Sequence, residues 1–159
     1  YVSSKMSETG AVIGGESSGG LTVRGHIQGK DGIYAAALLV EMMSTTGRSL
    51  SELYREITRR CGSFEMVERG YRFSQEERAR IGRTLMEDKA LPDFGVDIQR
   101  VSYADGCKVY FRDGGWVVCR FSGTEPLLRV FCEMDDAGRA GEMAGRMEAF
   151  LGLEGRNIE

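Results

Sequence analysis

The spacing of apolar residues changes once along this chain, and that change limits the folds open to it. Up to about Asp88 they recur at helical intervals, and from Asp97 onward they take the period of strands. Four β-rich segments lie at Ile98 to Tyr103, Cys107 to Arg112, Trp116 to Phe121 and Leu128 to Glu133. "DG" at Asp105 and "DGG" at Asp113 supply hairpin turns between the first three. The pattern predicts a four-stranded antiparallel meander. A last helix, from about Asp136 to Leu151, carries Ala137, Ala140, Ala144, Met147 and Leu151 on one stripe and covers one face of the sheet. This C-terminal part is α+β, a sheet with flanking helices.

Upstream, Ala11 to Ile13 form a short apolar run that predicts a strand leaving the core into the loop "GGESSGG". Asp31 caps a helix whose apolar positions are Ile33, Ala36, Ala37, Val40 and Met43, with Gly47 beyond its end. Ser49 and Glu52 have capping-box spacing for a second helix with Leu50, Leu53, Tyr54 and Ile57 on its apolar face. Ser74 and Glu77 repeat that spacing for a third, which runs to about Asp88 before Pro92. The stretch "CGSFEMVERG", Cys61 to Gly70, has glycines near both ends and mixed composition. It marks a boundary between a first domain, residues 1–62, and a second, residues 63–159.

With 159 residues, 42% of them hydrophobic, the chain is long enough to bury a core without disulfides or metal. No apolar run approaches the roughly 20 residues that cross a bilayer, and no secretory signal is visible. A net charge of -3, no Lys/Arg-dense run and no aromatic-basic stripe argue against nucleic acid as partner. Cys61, Cys107, Cys119 and Cys132 lack the close spacing of a zinc or redox motif and read as small core residues of a reducing cytoplasm. The chain starts with Tyr1, almost inside a patterned segment, as a piece of a longer protein would.

The third and fourth predicted strands are joined by "RFSGTEPLLR", with Arg120 and Arg129 at the two sides of the hairpin mouth. Backbone N–H groups of Ser122, Gly123 and Thr124 could converge there on an oxygen cluster, with two hydroxyls as further donors. Arginine forks match phosphate oxygens in pairs. Glu125 would repel an anion and is expected instead to orient a neighbouring arginine. An ordinary polar turn with solvated arginines is the alternative reading.

"RFSGTEPLLR" resembles the phosphate-binding loop of the α-D-phosphohexomutases, the phosphoglucomutase and phosphomannomutase group, whose pattern is Arg-x-Ser-Gly-Thr-Glu-Pro followed by a further Arg. Gly15, Glu16, Ser17, Ser18 and Gly19 stand in the place of that family's Gly-Glu-x-Ser-Gly sugar loop. His26, Ile27, Lys30, Asp31 and Gly32 match its "HI…KDG" segment. Three motifs occur in the family's order. The resemblance implies an α/β fragment, the end of the family's third domain, followed by its fourth, α+β domain.

In that family phosphate moves between O1 and O6 of a hexose through a phosphoserine and a bisphosphate intermediate. The resemblance gives Arg120, Ser122, Gly123, Thr124 and Arg129 the phosphate that is not reacting, and gives Glu16 and Ser18 the sugar hydroxyls. It places Lys30 near the reacting oxygen. His26, the only histidine, is a candidate titrating group near neutral pH, set against the structural role a lone histidine more commonly has. Gly20 replaces the histidine of the mannose-type and glucosamine-type loops, which leans towards a glucose-type loop, whereas Ser17 differs from the second Glu common in glucose-type loops. The resemblance leaves the sugar open, with glucose phosphate first and mannose phosphate next. Neither a Ser-His-Asn-Pro nor an Asp-Gly-Asp-Gly-Asp stretch is present, so the phosphoserine and the magnesium ligands are expected in N-terminal domains outside this chain. The fragment alone is expected to be inactive. A noncatalytic phosphosugar-binding module is the competing reading.

Overall fold

Capping decides where the helices of the N-terminal unit start and stop. The computed structural model describes residues 2–16, 18–123 and 125–158. The chain divides into two units, Tyr1–Cys61 and Gly62–Glu159. In the first, helix α1 (Val2–Thr9) precedes a small antiparallel hairpin, β1 (Ile13–Gly15) and β2 (Leu21–Val23), in which Ile13 pairs with Val23. The strand expected at Ala11 to Ile13 is therefore displaced toward the glycines, and Val12 and Ile13 are more than half exposed instead of in the core. Strand β2, only 3 residues long, is too short to show in the sequence pattern.

Helix α2 (Gly32–Thr46) begins where Asp31 Oδ1 accepts the N–H groups of Ile33 and Tyr34, each at 3.0 Å. It ends where Gly47, left-handed at φ 65°, donates its N–H to Met43. Helix α3 (Leu50–Cys61) opens with the expected reciprocal pair: Glu52 donates its N–H to Ser49 Oγ, and Ser49 donates its own to the Glu52 carboxylate at 2.8 Å. The apolar faces read from the sequence have formed, yet neither helix holds a buried residue. Ile33 is 86% exposed and Tyr54 62%.

The second unit is built on five antiparallel strands, not four: β3 (Glu65–Arg72), β4 (Ile98–Ser102), β5 (Cys107–Phe111), β6 (Trp116–Phe121) and β7 (Leu127–Met134), in the order β3-β7-β6-β5-β4. The added strand occupies most of the stretch expected to be a boundary, pairing with β7 from Glu65↔Met134 to Arg72↔Leu127. Its charges hid it, and they suit an edge strand. Arg69 and Tyr71 both donate to Glu148, the tyrosine hydroxyl at 2.5 Å, on helix α5 (Ala137–Leu151). Burial, then this hydrogen bond, pushes the Tyr71 hydroxyl well above its usual pKa.

Helix α4 (Gln75–Gly82) carries the predicted capping box and runs on as a π-helical turn, Arg83–Glu87. The core lies between the sheet and the helices. Leu128, Val130, Cys132 and Met134 of β7 are buried in alternation, against Ala140, Met143, Ala144, Met147 and Leu151 of α5. Ala137, expected on that stripe, is exposed, and Met143 takes a place there. On the opposite face the sheet assembles a stripe of rings and cations that the linear sequence did not reveal. Arg100 lies 3.5 Å from the Tyr110 ring centre and Lys108 3.6 Å from that of Trp116.

Cys107, Cys119 and Cys132 are core residues, whereas Cys61 is exposed, contrary to expectation. Burial pushes the thiol of Cys107 up to about 11 and that of Cys132 to about 12. Alkylation of the native chain near neutral pH should therefore modify Cys61 alone, and the other three only after denaturation.

A second prediction concerns acid stability. Arg156 Nη1 binds Glu77 Oε1 at 2.6 Å and the Ser74 N–H binds the same carboxylate, lowering it from an ordinary 4.5 to about 2. A depressed carboxyl adds stability above its unfolded pKa and loses it as pH falls toward the folded one. Glu77→Gln should flatten the pH dependence of unfolding between about pH 4.5 and pH 2, measured by denaturant titration. An unchanged acid limb would place that linkage elsewhere.

Candidate functional site

Strands β6 and β7 bring Arg120 and Arg129 directly opposite each other across the ladder, one step from the turn. Two like charges so placed repel, so the pair persists only with counter-charge nearby. Three different segments supply it. Asp105, in the β4–β5 turn, binds Arg120 at 2.8 Å. Glu68 of β3 binds Arg129 at 3.0 Å, and Glu125 of the turn binds it at 3.1 Å. Glu125 thus holds an arginine, as expected of it. Asp105 and Glu68 were missed, because only register brings them here.

Gly106 makes the Asp105 contact reachable. A Cβ on it would lie 2.5 Å from both Arg120 Cβ and the Cys119 carbonyl, and its φ of +79° is left-handed. Only glycine lets the turn pass this close to β6.

Within the turn, the Ser122 N–H donates to the Leu127 carbonyl at 2.8 Å and the Leu127 N–H to the Glu125 carbonyl at 2.8 Å. The Ser122 amide closes the hairpin and does not point with its neighbours at a guest, a correction to the convergent amides expected. Its hydroxyl accepts from the Glu125 N–H at 3.3 Å. Gly123 sits at the exposed tip. Thr124 lies outside the described residues. Each guanidinium fork carries five N–H groups and can serve several acceptors at once.

The loop at Gly15 to Gly19, matched by resemblance to a sugar loop, is in the first unit. Reciprocal backbone bonds close it, Glu16 N–H to Gly20 O and Gly19 N–H to Glu16 O, both 3.0 Å. The Lys30 ammonium pairs with Glu16 Oε2, and Ser18 Oγ donates to the same oxygen at 3.4 Å. The Lys30 hydrogen bond is the main reason the Glu16 carboxyl sits below the usual carboxylate range. Glu16, Ser18 and Lys30 therefore form one polar cluster. His26 is engaged differently. Its Nε2 contacts Asp31 Oδ2 at 2.8 Å and its ring stacks on Tyr34 at 4.1 Å. Asp31 is lowered first by His26 and then by the Tyr34 amide, so one carboxylate serves both the histidine and the start of α2.

Among the described residues no group of three or more His, Cys, Asp or Glu could hold a metal ion. No helix is long and apolar enough to cross a membrane.

The comparisons agree on both units. Residues 1–61 match the family described as phosphoglucomutase/phosphomannomutase, alpha/beta/alpha domain III, and residues 75–150 its C-terminal domain. The chain belongs to the phosphoglucomutase/phosphomannomutase family. It is 30% identical over 141 residues to a phosphoglucomutase/phosphomannomutase of Thermococcus kodakarensis, covering 89% of this chain and 28% of that one. It is 34% identical over 159 residues to a probable phosphoglucosamine mutase of Methanopyrus kandleri, covering 100% and 32%. The solved putative phosphomannomutase of Thermus thermophilus shares the fold at a TM-score of 0.67 and 20% identity, over 95% of this chain and 29% of that one. The chain thus spans about a third of its relatives' length.

Replacing Asp31 by Ala removes the acceptor shared by Ile33, Tyr34 and His26. Loss of such a cap costs about 1 kcal/mol, so amide exchange at Ile33 and Tyr34 should speed up roughly fivefold. Unchanged exchange at both would show that α2 starts without it.

Proposed function

We propose that the protein carrying this chain interconverts hexose 1-phosphate and hexose 6-phosphate, with glucose phosphate the first substrate and mannose phosphate the next, through a phosphoserine and a bisphosphate intermediate. The observation that carries this reading is the cross-strand juxtaposition of Arg120 and Arg129 beside the Ser122–Gly123 turn. In such a reaction one phosphate reacts while the other must be held still. Two forks on adjacent rigid strands are suited to the second task, positioning the substrate and offsetting its charge. Ser122, Gly123 and Thr124 line the same turn.

Glu16 and Ser18 recognise the sugar. A carboxylate can accept from two neighbouring hydroxyls, and backbone bonds between Glu16, Gly19 and Gly20 close the loop that carries it. Lys30, paired with Glu16, would stand beside the reacting oxygen, able to hold or pass a proton. His26 would act at one remove, by fixing Asp31 and the start of α2. The phosphoserine, and any magnesium serving it, belong to N-terminal domains outside these residues. The reaction takes place in the cytoplasm, where free thiols such as Cys61 persist, and involves neither nucleic acid nor membrane. The 159 residues alone turn nothing over.

The test is turnover of glucose 1-phosphate by the full-length protein and its Arg120→Ala and Arg129→Ala variants. Each truncation should lower kcat/KM by roughly 2–4 kcal/mol in transition-state terms. Wild-type values in both would remove the phosphate assignment. Tight binding without turnover would identify a noncatalytic sugar-phosphate module.

A further inference from the structure

Helix α4 ends in a glycine that nothing in its own surroundings requires. Gly82 has helical angles, φ -58° and ψ -48°, which any residue adopts, and a Cβ added to it would meet no atom within 4 Å beyond its own stretch of helix. Glycine there weakens the helix without relieving a clash. The chain runs on without a break into the π-helical turn Arg83–Glu87, where the Asp88 N–H reaches back five residues to the Arg83 carbonyl at 2.9 Å. Such turns are rare and frequently sit at functional sites.

Both features border one cavity, of about 190 Å³, between this helix and strands β6 and β7. Its apolar lining is Ile81, Leu85, Met86, Cys119, Phe121 and Leu128. Ile81, Leu85, Cys119 and Leu128 are buried, whereas Met86 is 40% exposed and marks the side open to solvent. An apolar cavity of roughly 150 Å³ already accepts a benzene ring, because its walls offer water no partners. The rest of the lining is polar: the Asp105–Gly106 turn and Arg120. Asp105 Oδ2 accepts from Arg120 Nη1 at 2.8 Å, and a carboxylate has lone pairs for a second donor.

We propose that this cavity is a binding site for a small uncharged aromatic molecule with one hydrogen-bond donor, of the size and chemistry of a phenol. The ring packs against Leu85, Met86 and Leu128, and the hydroxyl donates to Asp105. A sugar would leave hydroxyls unpaired against the apolar lining, and an anion would meet the Asp105 carboxylate. Asp105 is also the counter-charge of Arg120, so a ligand that shares this carboxylate loosens its hold on Arg120 and is felt at the paired arginines. The site lies wholly in the second unit and does not rest on the mutase reading.

The experiment titrates the 159-residue chain with phenol and follows it by NMR. The methyl groups of Leu85, Met86 and Leu128 should shift together and saturate in roughly the millimolar range, with cross-relaxation to the phenol ring. The Arg120 Nε–H should move with phenol and not with benzene, which fills the cavity but has no donor. Gly82→Leu puts a side chain into the space the glycine leaves open. It should lower phenol affinity by roughly tenfold or more and leave the chain folded, as leucine favours a helix, with thermal unfolding as the check. Should that variant unfold, Gly82→Ala decides, with an expected loss of about threefold. Methyl groups that stay still, or undiminished phenol binding in the folded variant, overturns the site. Equal binding of phenol and benzene with Arg120 unmoved overturns the Asp105 contact and the coupling to the arginines.

Discussion

Two arginines set face to face across a β-ladder are the constraint around which the second unit is arranged. At water's dielectric two unit charges about 4 Å apart repel by roughly 1 kcal/mol, and more where protein replaces water. Arg129, with its side chain 21% exposed, is the more sheltered of the two. The repulsion is met from three directions: an edge strand through Glu68, a distant turn through Asp105, and the hairpin itself through Glu125. Strand order and register bring these together. Without β3 beside β7, Arg129 would lose Glu68.

The back of the sheet supplies the rigidity this needs. Every second residue of β7 from Leu128 to Met134 is buried, so a one-residue slip would expose that row and break the alignment of Arg120 with Arg129. Glu148, itself only 8% exposed, is bound by Arg69 and Tyr71 and joins helix α5 to the same edge strand that carries Glu68. Core packing and site electrostatics share strands, so the site's geometry depends on residues that no ligand would touch. The first unit uses smaller devices to the same end. Asp31 joins a helix cap to a histidine, and Lys30 pairs with Glu16.

What the sequence disclosed follows from locality. Asp31, Ser49 and Ser74 announced helix starts because a cap is written within three or four residues. Strands β4 to β6 were legible because their turns carry Asp-Gly, and Glu125 could be assigned to an arginine because it lies four residues from one. Non-local features were hidden. Strand β3 has four charged residues and a glycine among its eight, with no period-2 apolar pattern, and its partner is some sixty positions away, so nothing in its own composition marked it. The counter-ions Asp105 and Glu68, and the ring-and-cation face, exist only once register is set. The Ser122 amide went to the hairpin because a ladder bond was available to it, a choice that residue types cannot show. The apolar faces of α2 and α3 were legible in position, and neither helix holds a buried residue.

The most direct measurement is a titration of the 159-residue chain with inorganic phosphate, followed by NMR at the Gly123 amide and at the side-chain Nε–H groups of Arg120 and Arg129. If the paired arginines form an anion site, these three should move together and saturate with one dissociation constant, in roughly the millimolar range that about -4 kcal/mol provides. The response should vanish in Arg129→Ala. If the three stay still while other resonances respond, or if Arg129→Ala leaves the titration unchanged, the two arginines are a charge network that holds the hairpin and bind no phosphate.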